Sequence, residues 1–186
     1  MITTREDAWN ILQQHVGSDS LIKHCLAVEA AMRAYAEKFS EDQEYWGIVG
    51  LLHDIDFEKY PDKHPYEAGN LLAPYGFDAA FIENVESHDR AWPGERTLLQ
   101  KTLLAVDELT GFIIACALVR PDKSLEKLEV KSVVKKMKDK AFAKAVNRET
   151  IISSAGEMGV DLKEHIAYVT KALAAAVQKP EFQKLA

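Results

Sequence analysis

The sequence has few cysteines, glycines and prolines, and it contains no long apolar run. Its two cysteines, Cys25 and Cys116, are far apart and belong to no CxxC pair, so neither a disulfide framework nor a zinc knuckle is predicted. The longest purely apolar stretch, residues 112–119, is far shorter than the roughly 20 residues that a membrane-spanning helix needs. We therefore expect a cytoplasmic protein with two reduced, buried cysteines and no membrane partner.

Charge is unevenly distributed along the chain. The net charge is −6, yet residues 120–148 hold ten Lys and Arg against four Asp and Glu, which gives this segment +6 and the remainder −12. An acidic chain is not expected to bind a nucleic-acid polymer. No linker or repeat divides the chain, so we predict one domain over residues 1–186, with a lysine-rich C-terminal helical subregion at 120–186.

Apolar residues recur at spacings of three and four almost throughout, and no segment alternates as a strand does. An all-α fold of about eight or nine helices, with no sheet, is therefore predicted. Ser20 and Ser40 are expected as helix caps, and Pro65 as the first residue of the fourth helix. The predicted helices cover residues 5–15, 21–39, 42–52, 66–73, 78–87, 98–119, 129–139, 148–158 and 162–177.

Two histidines lie on apolar helix faces. His24 is in line with Leu21 and Val28, and His53 ends the third helix and is followed directly by Asp54. A lone histidine on such a face is more often a hydrogen-bonded core residue than a metal ligand. Chance alone predicts about 0.4 His-Asp dipeptides in a chain of this composition, so the dipeptide by itself is weak evidence for a site.

The carboxylate of Asp107 gives the strongest physical indication of a metal. It lies in line with Leu103 and Gly111 in the most hydrophobic helix, with no Lys or Arg on that face within one turn. Burial of an unpaired carboxylate is costly, so a proton, a cationic side chain or a metal must compensate it. One divalent cation would compensate Asp107 and Asp54 together, and imidazole with carboxylate suits Mn, Fe, Co, Ni or Zn better than Ca. Four separately hydrogen-bonded core residues are the alternative.

The order of these residues resembles a known signature. His24, then Leu52-His53-Asp54-Ile55, then Asp107 is similar to the motif of the HD-domain phosphohydrolase superfamily. Further similarity to the small stand-alone HD hydrolases covers residues 57–64, 87–89 and 105–111.

This resemblance implies a single HD-type helical domain whose metal-binding core covers about residues 18–119. His24, His53, Asp54 and Asp107 would hold one cation and leave coordination positions open. The implied activity is metal-dependent hydrolysis of a phosphate ester, in a nucleotide or another small phosphorylated metabolite. The implied partner is thus a small anionic phosphorylated substrate.

Two more histidines resemble those of the dinuclear branch, which includes the HD-GYP phosphodiesterases. His64 and His88 would reach a second metal, with Asp54 as the bridge, although a solvated helix cap is an equal alternative for His64. The chain has Ser87-His88 where that branch has two histidines, and Asp56-Phe57 where it has Gly-Lys. A cyclic-dinucleotide phosphodiesterase is therefore not expected.

Other roles are predicted from position alone. A carboxylate near the ligands should relay the proton, and the candidates are Asp56, Glu58 and Asp89, while Asp54 is predicted to be both catalytic and a metal ligand. Lys123 and Arg148 of the basic segment are candidate substrate-binding residues, with a solvated lysine face as the alternative for most of that segment. His15 and His165 are expected to be structural, with surface-compatible neighbours.

Two non-enzymatic interpretations remain open at this point. In one, a metal-bearing HD module senses a nucleotide or another anionic ligand without turnover and signals to a partner. In the other, the metal only holds helices together, and exposed apolar residues such as Trp92 form an interface with another subunit. The sequence leaves open whether the protein forms a homo-oligomer.

Overall fold

The computed structural model describes residues 4–185, except for the side chain of Gln183, and these residues form helices and turns without any strand. The predicted all-α fold is thus confirmed, while residues 1–3 and 186 of the predicted domain lie outside the described part. None of the described helices is long and apolar enough to cross a membrane. The α-helices of the described part are α1 (Arg5–His15), α2 (Asp19–Phe39), α3 (Gln43–Leu52), α4 (Ala68–Leu72), α5 (Ala79–Glu86), α6 (Leu98–Leu118), α7 (Val130–Met137), α8 (Arg148–Glu157) and α9 (Leu162–Ala176).

Helix boundaries follow local capping, and two predicted boundary residues are wrong. Helix α2 begins behind Ser18, whose side chain accepts the Leu21 N–H, and not behind Ser20. Pro65 does not open the fourth helix, because residues 61–67 form turns and α4 begins only at Ala68. Ser40 does end α2, as a C-cap in the left-handed region with φ 59°.

Two glycines let α3 pack unusually close to α2. A Cβ on Gly50 would lie 2.9 Å from Met32 Cγ and 3.1 Å from the carbonyl oxygen of Val28. A Cβ on Gly47 would lie 2.5 Å from Arg33 Nε. This approach brings the C-terminal end of α3 beside the first half of α2.

Helix α9 supports α2 and α6 through a buried polar bridge. The Tyr35 hydroxyl donates to His165 Nδ1 at 2.6 Å, and His165 Nε2–H donates to the Ala105 carbonyl at 2.9 Å. Both side chains are buried, so the expected surface position of His165 is wrong although its role is structural. The bridge holds the middle of α6 against α2 and α9. Cys25 and Cys116 are buried free thiols, as predicted.

Candidate metal centre

His24, His53 and Asp107 form the first of two groups of candidate metal ligands, which we call the first triad. His24 projects from α2, Asp107 from α6, and His53 follows α3 directly. The Nε2 atoms of the two histidines are 3.2 Å apart, and Asp107 Oδ1 lies 3.0 Å from that of His24 and 3.6 Å from that of His53. Three helices therefore direct three donor atoms to one point, with the Asp107 side chain 20% exposed.

Asp54, His64 and His88 form the second triad. Asp54 Oδ1 lies 3.3 Å from His64 Nε2 and 3.6 Å from His88 Nε2, and these two nitrogens are 3.0 Å apart. The Asp54 carboxylate also lies 3.4 Å from His53 Nε2 and 3.5 Å from His24 Nε2, so it stands between the triads. The structure thus brings all six predicted ligands together. His64 is no solvated helix cap, because its side chain is only 15% exposed.

Hydrogen bonds at Nδ1 orient three of the four rings. His53 Nδ1 contacts the Gly50 carbonyl at 2.8 Å, and His88 Nδ1 contacts the carbonyl of Val85. A carbonyl can only accept, so both Nδ1 atoms carry a hydrogen and both Nε2 atoms face the cluster. His64 Nδ1 donates in the same way to Asp56 Oδ1 at 2.7 Å. Such outer hydrogen bonds are what metal-ligating histidines require.

The electrostatics of the cluster also fit a divalent cation. Burial disfavours the charged form of His88, but the nearby carboxylates of Asp54 and Asp107 outweigh it and raise the pKa of His88 to about 8. Burial favours protonation of Asp54, yet the neighbouring histidines lower the pKa of Asp54 well below its usual range. Protons on imidazoles thus balance the ionised carboxylates, and a divalent cation would take their place. The mixed nitrogen and oxygen donors fit a divalent metal ion.

The ligand cluster lies at the floor of an open cleft of about 420 Å³. Along α6, the residues that line it are Leu104, Asp107, Glu108 and Gly111, so the face turned to the cleft contains Leu104 and not Leu103. Opposite walls come from the turn segment after α3, the loop after α5, and the loop before α8. The lining residues beyond α6 are His24, Asp54, Phe57, His64, Pro65, His88, Asp89, Arg90, Ala145, Val146 and Thr150.

Arg90 is a cleft residue that the sequence analysis missed. Among the described residues it is the one lysine or arginine that lines the cleft, and its side chain is 56% exposed. Its Nη2 lies 3.7 Å from Glu108 Oε1, which makes a loose ion pair on the cleft wall. The sequence feature that could have indicated Arg90 is its position two residues after the candidate ligand His88.

Of the three predicted proton-relay residues, Asp89 alone lines the cleft, and Asp54, predicted to be catalytic and a metal ligand, lines it as well. The Tyr66 hydroxyl donates to Asp89 Oδ2 at 2.7 Å, and the Ala91 N–H donates to Oδ1 at 3.0 Å. Both oxygens of Asp89 are therefore held in place at the edge of the cleft.

Asp56 and Glu58 are not positioned to face a substrate. Asp56 is fully buried behind His64, which it orients, and it also accepts the Glu67 N–H at 3.1 Å. Glu58 accepts the N–H groups of Gly17 and Ser18 at 2.8 and 2.9 Å and so fixes the start of α2. Neither carboxylate lines the cleft.

The structure does not bring Lys123 or Arg148 to the cleft either. Lys123 is an exposed residue of the turn after α6. The Arg148 guanidinium donates to four backbone carbonyls of the loop before α8 and stacks on Phe112 at 5.0 Å. All of its hydrogen bonds go to the protein, so Arg148 shapes the cleft wall formed by Ala145 and Val146 and does not face the cleft.

Comparison with known families agrees with this geometry. The family model described as HD domain matches residues 21–176, which include all six ligand candidates. The chain belongs to the HD domain family. No curated protein and no solved structure gave a significant match. Within this HD domain, the departure at Ser87 has a local explanation, since the Ser87 hydroxyl donates to the Asn84 carbonyl at 2.7 Å.

Proposed function

We propose that this HD domain is a metal-dependent hydrolase of phosphate esters, acting on a nucleotide or another small phosphorylated metabolite. The single observation that carries the proposal is the position of Asp54 in an open cleft, where it belongs to the second triad and also lies within 3.5 Å of both histidines of the first. A closed cage would suit a structural metal, whereas a cleft leaves space for a substrate beside the cation. The volume of about 420 Å³ is in the range of small-molecule sites.

The substrate is held by charge in this proposal. When bound, a divalent cation supplies Lewis-acid chemistry, polarising a phosphoryl oxygen and lowering the pKa of water. Arg90 is only loosely paired with Glu108, so its guanidinium can turn and donate two parallel N–H bonds to the phosphoryl group. This role for Arg90 replaces the ones predicted for Lys123 and Arg148.

Asp89 is the carboxylate best placed to accept the proton of the attacking water. It lines the cleft next to His88, and Tyr66 and the Ala91 N–H hold its oxygens in place. The phosphorus–oxygen ester bond breaks as the water oxygen bonds to phosphorus, and the leaving oxygen takes up the proton that the water gave up. The products are an alcohol and inorganic phosphate from a monoester, or an alcohol and a phosphomonoester from a diester.

Metal analysis of the purified protein, followed by assays on a panel of phosphate monoesters and diesters with and without added Mn²⁺ or Ni²⁺, tests the proposal. We expect bound metal and metal-stimulated cleavage in the wild type, and neither in His53→Ala. His15→Ala is the matched control, because His15 lies outside the cluster and contacts Tyr75. Bound metal without cleavage would favour the sensor interpretation, and absence of metal would refute the proposed site.

A further inference from the structure

Gly111 lies inside the longest apolar helix, at a position where no packing contact explains a glycine. A Cβ built there meets nothing within 4 Å, so no neighbouring helix requires the small residue. Glycine inside a helix is unfavourable relative to alanine, because it loses more backbone freedom on folding. The chain therefore keeps a destabilising residue where an alanine would fit.

The location of Gly111 indicates what the open space is for. It lies one turn after Asp107 on the face of α6 that lines the cleft, and the loop wall with Ala145 and Val146 lines the same cleft. The cleft thus has small side chains on both walls beside the ligand cluster. A phosphoryl group held by the cluster and Arg90 would direct its organic group into this space.

We propose that Gly111 keeps open a subsite for the organic group of the substrate and determines the largest group that the cleft accepts. The proposal rests on the proposed function for the identity of the substrate as a phosphate ester. The open space beside the ligand cluster does not depend on that function, because Gly111 and the loop wall with Ala145 and Val146 form it. Gly111 is accordingly a specificity-determining residue with no part in metal binding or proton transfer.

The test compares Gly111→Ala and Gly111→Leu with Gly156→Ala as the matched control. Gly156 also lies in a helix, α8, with nothing within 4 Å of a built Cβ, but it is exposed and does not line the cleft. The readout is calorimetric binding of methyl-, phenyl- and naphthylphosphonate to the metal-loaded full chain, since phosphonates are not hydrolysed. Thermal unfolding of each variant checks that it folds.

We expect both alanine variants to melt at the wild-type temperature or up to about 4 °C above it, because both remove a helical glycine. Gly111→Ala should weaken naphthylphosphonate about tenfold and change methylphosphonate less than about twofold. Gly111→Leu should abolish binding of naphthyl- and phenylphosphonate while methylphosphonate still binds. Gly156→Ala should bind all three probes as the wild type does.

Equal affinities of wild type and Gly111→Leu for all three probes would overturn the proposal, as would an equal loss for all three or no binding of any probe to the wild type. A failure of the proposed function can be distinguished from a failure of the proposed subsite. If phosphonates show the expected dependence on size but no ester is cleaved, the subsite stands and the hydrolase does not. If esters are cleaved but Gly111→Leu leaves every probe unaffected, the hydrolase stands and the subsite does not.

Discussion

The two triads are held in place by different means, although Asp54 joins them. His24 and Asp107 project from two long helices and His53 follows a third, so the first triad depends on how closely α2, α3 and α6 pack. In the second triad, His64 lies in the turns between α3 and α4 and depends on a hydrogen bond to Asp56. Helix packing thus positions one half of the site and a buried polar contact positions the other. Substitutions should therefore disrupt the two triads by different routes.

The largest effect is expected at Asp54, which lies between the two triads. Asp54→Asn removes the carboxylate charge that lies between the triads, so metal affinity should fall at least about 100-fold for every cation bound, and the proposed ester hydrolysis should be lost in parallel. Metal content after dialysis and a competitive chelator titration measure this. Asp62→Asn, an exposed carboxylate in the same turn segment, is the control. Retention of one tightly bound cation in Asp54→Asn would show that the first triad does not need Asp54.

Asp56→Ala should break the second triad alone. It leaves the His64 Nδ1–H and the Glu67 N–H without their acceptor, so affinity at the second triad should fall about 10- to 100-fold while the first triad keeps its metal. Asp56→Asn retains an acceptor and should recover part of the loss. A two-site metal titration distinguishes the triads. If Ala and Asn variants behave alike, Asp56 does not act through His64.

Gly50→Ala should act on the first triad through helix packing. The added methyl lies within 3.1 Å of atoms of Met32 and Val28, so α3 must move away from α2, at a cost of about 1–3 kcal/mol in the free energy of unfolding. Denaturant unfolding measures this, with Gly156→Ala as the control. Unchanged stability would mean that the two helices adapt without cost.

The smallest effect concerns the buried bridge behind α6. Burial lowers the pKa of His165 below its ordinary 6.5, despite the hydrogen bond to Ala105 that opposes the shift. As pH falls below about 6.5 the unfolded chain takes up a proton that folded His165 resists, so stability falls by at most about 1.4 kcal/mol per pH unit. The difference in unfolding free energy between wild type and His165→Gln should therefore shrink on acidification. A difference independent of pH would contradict a neutral buried His165.

Helix periodicity made the first triad predictable. His24 and Asp107 could be placed on apolar faces because a face repeats every three or four residues, and the helix boundaries at Arg5, Phe39 and Leu98 agree with the predicted ones. The need of a buried Asp107 for a cation followed from the same pattern. Only the exact face of α6 differed, since Leu104 lines the cleft and Leu103 does not.

Turn geometry could not be predicted in the same way. The path of residues 53–67 decides that Asp56 turns to His64 and that Glu58 reaches the start of α2, and no repeat encodes such a path. Charge alone was equally misleading for Arg148, because the Nη1 and Nη2 groups of its guanidinium donate to carbonyls of the loop before α8 and not to the cleft. Arg90 was overlooked because one cation in a loop has no distinctive pattern.

The hydrogen bonds of Arg148 affect how the loop before α8 moves. None of residues 139–147 is fully buried, and the single side chain of Arg148 donates to four of their carbonyls. Phe142, Ala143 and Val146 are only partly buried against the core, so this segment opens at a lower free energy than the core, and a shared anchor makes its residues open together. The amides of this wall should therefore exchange with solvent as one group, well before those of α2 and α6, so that the cleft can widen while the ligand cluster keeps its shape.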